Sequence, residues 1–174
     1  MNNWYVVTGG PNSGKTTTLN ELKKRGFTIV PEAARTFIDR EMRKGKTLKE
    51  IREDEFRFQQ KLLKFKVKRE KSLPKNQVFF FDRGMHDSGA YVIHLGKYKN
   101  KDIQVALKNA TYKKVFILEL LPGYKKDYAR TENAALRKKL HRFIEEVYRE
   151  FKLTILNVPV MTVQKRVNFI LKNL

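Results

Sequence analysis

The chain has 174 residues, 41% hydrophobic and 32% charged, which fits one globular domain with a core of its own. It contains no cysteine, and this excludes disulfides, thiolate catalysis and a cysteine zinc site. Lys and Arg outnumber Asp and Glu by 38 to 18, a formal net charge of +20, so beside the cations that any phosphate-handling protein carries, nucleic acid or anionic lipid is a possible partner.

Residues 4–8, Trp-Tyr-Val-Val-Thr, read as a buried strand because aromatic and β-branched side chains fill every position. Gly9-Gly10-Pro11-Asn12-Ser13-Gly14-Lys15-Thr16 follows at once. It is a full match to the phosphate-binding pattern G-x-x-x-x-G-K-[ST], in which glycines let successive backbone N–H groups face phosphate oxygens. Chance alone puts this pattern in about one chain in a hundred of this length. A helix then opens with Thr16 and Thr17, carries Leu19 and Leu22 on one side, and ends at Gly26. Strand, glycine-rich turn and helix form the context in which such a loop binds a nucleotide.

A short apolar segment at 27–30 reads as a second strand ended by Pro31, and 32–44 is helical in composition. Thr47 and Glu50 fit a capping box that opens a long helix. Along it Ile51, Phe58, Leu62 and Phe65 recur at helical spacing as core residues, while Lys61, Lys64, Lys66, Lys68, Arg69 and Lys71 read as a solvated basic surface. After a break at 72–76, residues 77–82 are apolar at nearly every position, as in a central strand of a parallel sheet. Further strands are expected at 114–119 and 153–158, and a helix at 131–151. Thr162 caps a last helix that turns Val163, Val167 and Ile170 inward. The expected fold is one α/β domain, a three-layer α/β/α sandwich around a mostly parallel five-stranded sheet, as in phosphate-loop NTPases and nucleoside kinases, with a lid at about 122–138. No apolar stretch approaches the roughly 20 residues needed to span a bilayer. The strand near the N-terminus leaves no room for a signal peptide, so a cytoplasmic location is expected.

Asp82-Arg83-Gly84 ends the third strand, where ligands of open α/β sheets collect. Motor-type ATPases follow this Asp with Glu to activate water; Arg83 stands there instead and suits a clamp on phosphate or an anionic acceptor. The chain lacks the N-K-x-D and D-x-x-G motifs of Ras-like GTPases, although GTP remains open as a donor. Glu32 and Arg35 are three residues apart on a helix that starts at the same sheet edge, so they share a face, and Glu32 rivals Asp82 as general base. In the lid, Arg130 and Arg137 are candidate cations and Asp127 a contact to an acceptor hydroxyl. Pro159, after the last strand, is positioned to wall a nucleotide base. Of the three histidines only His86 falls near this constellation, and no role is assigned to it.

Together these segments resemble the P-loop AAA-type ATPase/kinase family related to the ribosylnicotinamide kinase domain of NadR. The resemblance rests on 9–16, Pro31-Glu32-Ala33-Ala34-Arg35, Asp82-Arg83-Gly84 with Asp87 and Tyr91, Tyr124/Asp127/Arg130/Glu132, and Val158-Pro159-Val160. It implies a kinase-like sandwich and an ATP·Mg²⁺ site. It further implies an acceptor near Glu32, Arg35, Asp82, Asp87 and Asp127; some relatives are regulatory nucleotide binders, including ones that bind phosphoinositides. Arg83-Gly84 replaces the acidic residues that ribosylnicotinamide kinases carry after Asp82, and Tyr128 replaces a usual glycine, which argues against ribosylnicotinamide as the acceptor.

The leading expectation is an Mg²⁺-dependent phosphotransferase acting on a small hydroxyl acceptor, with phosphates in loop 9–16 and at Thr17, and metal on Thr16 and Asp82. Lys15, Asp82 or Glu32, Arg83 and Arg130 are its catalytic set. The alternatives are a nucleic-acid-dependent NTPase or polynucleotide kinase, and a nucleotide switch on anionic membranes.

Overall fold

The computed structural model describes residues 2–122 and 134–174. Its strands are β1 (Trp4–Thr8), β2 (Thr28–Val30), β3 (Phe79–Asp82), β4 (Lys114–Leu118) and β5 (Ile155–Val158). All pair in parallel, in the order β2-β3-β1-β4-β5. The helices are α1 (Lys15–Lys24), α2 (Ala33–Met42), α3 (Leu48–Ile51), α4 (Glu55–Lys71), α5 (Met85–His94), α6 (Lys101–Asn109), α7 (Ala134–Glu150) and α8 (Val163–Lys172). The chain leaves β1 toward β2 and β3 and later returns on the other side of β1 as β4. The strand order therefore reverses beside β1, the place in an open parallel sheet where loops part to form a cleft.

Pleating divides each central strand between two cores. Trp4, Val6, Phe79, Phe81, Val115 and Ile117 face the cluster built with α4 to α7. Tyr5, Val7, Phe80, Phe116 and Leu118 face the cluster with α1 and α8. This accounts for the near-continuous apolar runs: both faces of the sheet are covered, so polar side chains are confined to the strand ends, as at Thr8, Asp82 and Lys114. A third, smaller cluster joins Ala33 and Phe37 of α2 to Phe58 and Leu62 of α4. It builds a wall beside the C-terminal ends of β2 and β3.

The observed elements follow the sequence pattern, with three differences. The Thr47–Glu50 capping box forms, but it opens only the four residues of α3. The Asp54 side chain then accepts from the Arg57 amide and caps α4 afresh, so a second cap interrupts what the pattern joins. Met85 to Asn109, where the pattern names no element, holds α5 and α6; Gly89 and Ser88 obscure the helical signal there, and tertiary packing overrides their propensity, since both are buried. Finally, Lys66 does not belong to the solvated basic surface: it is 3% exposed.

Phe80 lies fully buried between a stacked Tyr5 and an edge-on Phe27. Phe80→Ala is expected to lower unfolding stability by about 3–5 kcal/mol. The more than half-exposed Val105, cut to Ala, is expected to change it by less than about 0.5 kcal/mol. Urea denaturation monitored by circular dichroism checks both.

Candidate active site

The glycine-rich loop runs from the end of β1 into α1. Gly9 has φ +137°, and a Cβ there would collide with the Leu118 carbonyl; Gly14 has φ +80°, and the Arg166 guanidinium occupies the space that its Cβ would need. Only glycine fits either position. Lys15 is buried, and its Nζ donates to the carbonyls of Gly9 and Gly10, both at 2.9 Å, and to Ser13 Oγ at 3.3 Å. The ammonium therefore curls into its own loop. The first amides of α1 have no acceptor within the helix and carry the positive end of its dipole, as an anion site requires. Thr17 Oγ1 donates back to Gly14 O at 2.9 Å. Arg166 of α8 supports the loop from behind, donating to Ser13 O at 3.2 Å.

One cavity joins this loop to the ends of β2 and β3. Pro11, Lys15, Thr16, Glu32, Asp82 and Arg83 line its polar part, and Ile38, Met42, Leu48, Phe58, Leu62 and Tyr91 line much of the remainder. Arg35 and Asp87 also reach it. Sequence positions 9–16, 32–35 and 82–87 thus converge. Arg83 sits at φ +68°, a left-handed conformation that costs a non-glycine residue energy and persists only where surroundings over-determine it. Here they do. Its amide donates to Val7 O at 3.2 Å, and its guanidinium reaches Glu32 Oε1 (3.1 Å), Asp87 Oδ1 (3.0 Å) and Gly9 O (3.3 Å).

Asp87, expected among acceptor contacts, has a different place. Its carboxylate is 1% exposed and accepts from four protein donors: the Thr8 hydroxyl, Arg83, the Gly84 amide and the Tyr148 hydroxyl. Such a saturated group positions its neighbours. Pro159 is exposed just beyond β5. Arg137 is buried and donates to Leu121 O at 3.0 Å. Arg130 and Asp127 lie outside the described residues.

Three functional candidates escape the sequence pattern. Lys66 donates to Gly84 O (2.8 Å) and Ser88 Oγ (2.9 Å), holding the Arg83–Gly84 turn against α5, and lines the cavity. Gln59 lines it too; its Nε2 is tied to Glu55, whereas its buried Oε1 has no hydrogen-bond partner among the described residues. Gln59, Leu63, Lys66 and Glu70 follow the i, i+4, i+7, i+11 spacing of one buried helix stripe. That spacing is the signal, masked by the lysines around it. The third is His141 of α7, whose Nδ1 accepts from the Gly10 amide at 3.1 Å. His141, and not His86, is therefore the histidine at the loop; His86 is buried in the core against Tyr112, Tyr148 and Phe151.

Burial and crowding set the charges apart. Burial, with the Arg83 cation nearby, lowers Lys15 to about 7. Burial lowers Lys66 to about 8 although Asp87 and Glu70 oppose it. Burial and the Glu32 carboxylate raise Asp82 to about 6. Burial pushes Glu32 up as well, but Arg83, Lys15 and Arg35 outweigh it and hold that carboxyl below its ordinary value. So Glu32 is the carboxylate whose ionisation the site favours and Asp82 the strained one, whose buried Oδ1 has no hydrogen-bond partner among the described residues. An orphaned, electrostatically disfavoured carboxylate beside the Thr16 hydroxyl fits an Mg²⁺ site that keeps water and phosphate for its other ligands. Among the described residues no three acidic or histidine side chains cluster as an all-protein metal cage.

The family model described as "AAA domain" matches residues 4–166. No curated protein matches the chain in sequence. Its fold, a five-stranded parallel sheet with helices on both sides, is shared by many solved structures, among them the following three. Deoxyadenosine kinase from M. mycoides with bound dATP aligns with TM-score 0.68 and 17% identity over 98% of each chain. Thymidylate kinase from Ehrlichia chaffeensis aligns with TM-score 0.70 and 11% identity over 98% of this chain and 97% of its own. NadR in complex with NR aligns with TM-score 0.74 and 15% identity over 98% of this chain and 50% of its own.

Because Asp82 binds its proton more tightly when folded than when unfolded, its ionisation destabilises the fold. The stability that its protonated form contributes is complete below about pH 4 and is lost as pH rises through about 6. Asp82→Asn, which removes the charge, is expected to melt higher than the natural protein at pH 8 without ligands, and the gap should narrow between pH 6 and pH 4. Differential scanning fluorimetry across this range measures it.

Proposed function

The chain belongs to this AAA domain family, and we propose that it is an Mg²⁺-dependent phosphotransferase that moves the terminal phosphoryl group of ATP to a hydroxyl of a nucleoside-like acceptor. One observation carries the reading. Lys15 and Thr16 of the phosphate loop line the same cavity as Glu32 and Arg83, so donor phosphates and acceptor hydroxyl meet in one chamber.

Triphosphate oxygens replace the loop carbonyls as partners of Lys15, and the phosphate charge restores the ammonium that burial discourages. Mg²⁺, held by the Thr16 hydroxyl and the Asp82 carboxylate directly or through water, supplies neutralisation of phosphate charge. Glu32 is the general base of this proposal, since Asp82 is assigned to the metal, the site favours Glu32 as an anion, and Arg83 fixes one of its oxygens. It takes the acceptor's hydroxyl proton as the acceptor oxygen bonds to the γ-phosphorus. The bond from that phosphorus to the bridging oxygen breaks, and its electron pair leaves on ADP. The apolar wall of Phe58, Leu62 and Ile38, with Tyr91 and the unpartnered Gln59 Oε1, suits a planar base that offers an N–H. That chemistry supports a nucleoside over a simple sugar. Arg130 as lid cation, Asp127 as acceptor contact and Pro159 beside the donor base complete the proposal.

ADP release is measured against nucleosides, nucleoside monophosphates, ribosylnicotinamide, polynucleotide ends and no acceptor. A nucleoside or its monophosphate is expected to raise the rate most. Lys15→Ala is expected to reduce turnover by at least about a hundredfold. Glu32→Gln is expected to reduce kcat by about 10²–10⁴ with ATP affinity retained. Full turnover in purified Lys15→Ala refutes the assignment.

A further inference from the structure

A hydrogen bond between the phosphate loop and α7 has no part in the chemistry above. The Gly10 amide, within the very loop whose amides serve phosphate, donates to His141 Nδ1 at 3.1 Å. The two segments are in close packing: a Cβ on Gly10 would come within 3.0 Å of His141 Cβ and 3.1 Å of the Arg137 carbonyl. The carbonyls of Gly9 and Gly10 are meanwhile gripped by Lys15, and Gly9 O also by Arg83.

These bonds differ in what happens when a triphosphate arrives. Lys15 must turn toward the phosphates, which frees at least part of its hold on the loop. The bond to His141 uses the Gly10 amide, which Lys15 does not hold, and need not break when Lys15 turns away. We infer that His141 is a positioning residue for the donor nucleotide, an anchor on α7 that keeps the Gly9–Gly10 turn in its binding conformation as Lys15 is withdrawn. The inference rests on the reading of loop 9–16 as the nucleotide site.

The anchor depends on a neutral imidazole. With Nδ1 accepting, the ring proton resides on Nε2, which faces Glu119 Oε2 at 3.7 Å, too far for a hydrogen bond. Burial, Lys15 and Arg137 disfavour a second proton, while Glu119 and Glu145 favour one; the balance holds His141 below its ordinary value. The imidazole is therefore neutral at pH 7.5 and gains a proton only in acid, where Nδ1 becomes a donor and the Gly10 amide loses its acceptor. The bond contributes above the protonation range and is lost as pH falls through it.

The test is ATP affinity by titration calorimetry at pH 7.5 and at stepwise lower pH for as long as the proteins stay folded, for the natural protein, H141A and H141N, with melting curves as the folding control. Asn presents an oxygen near the place of Nδ1 and does not titrate. At pH 7.5 H141A is expected to bind ATP about three- to tenfold more weakly, the fold-change of one lost hydrogen bond, and H141N within about twofold of the natural protein. As pH falls through the protonation of His141, the natural protein is expected to weaken relative to H141N, a comparison in which protonation of ATP itself cancels. Equal affinities for H141A and the natural protein at pH 7.5 overturn the inference and leave the nucleotide site standing. An acid loss in H141N as large as in the natural protein overturns it too, as does tighter binding by the natural protein in acid. If H141A does not fold, the pH comparison with H141N decides alone. No ATP binding by the natural protein removes both readings.

Discussion

The structure of the site depends on one buried ion pair. Arg83 stands in a left-handed conformation at the end of β3, and Asp87, one helical turn later, holds it there. Because both groups are withdrawn from water, neither tolerates loss of the other; a buried charge without its partner costs about 3–5 kcal/mol. Asp87 spreads the constraint further. Its two oxygens also collect the Thr8 hydroxyl from β1, the Tyr148 hydroxyl from α7 and the Gly84 amide, so the sheet, the turn and two helices share one electrostatic knot. Lys66 draws the Gly84 carbonyl from the α4 side. The Arg83 guanidinium is consequently presented to Glu32 and to the phosphate loop with little freedom to move.

Above this knot the cavity gathers charges that oppose one another. Asp82 is disfavoured as an anion and Lys15 as a cation, although they share one chamber, because each is desolvated and each has a like charge nearby. This is an arrangement that anticipates ligands: phosphate restores the lysine, and a divalent cation restores the aspartate. Folding stability is given up at the site, and under the proposed function binding of donor and metal returns it. The Gly10–His141 bond belongs to the same economy, since it fixes the loop without spending a charge.

Much of this was legible beforehand. The loop could be read from eight residues, because its constraints are local: only glycine fits the backbone at Gly9 and Gly14, and a lysine followed by a hydroxyl side chain offers the required donor and ligand. The strands could be read because a sheet covered on both faces admits apolar side chains throughout. Reading was weaker where long-range packing chose among equivalent local options. The lysine at 66 is indistinguishable in composition from Lys64 and Lys68, yet the turn of the helix places it, and not them, under Gly84. Asp87 enters the sequence reading through the motif it shares with the family; that four donors from three other elements brace it is visible only in the fold. His141 is more than a hundred residues from Gly10, and nothing in its own neighbourhood announces the contact.

The sequence by itself determined the parallel α/β sandwich, the phosphate loop at its switch point, and the presence of Glu32, Asp82 and Arg83 at one sheet edge. Those properties follow from residue type and spacing over a few positions, where backbone geometry and hydrophobic period leave little choice. Tertiary structure alone decided which carboxylate the site favours as an anion, which lysine is buried, and which side chains meet the loop. Each of these is a balance of desolvation against partners brought from distant segments, and such a balance does not exist until the chain has folded.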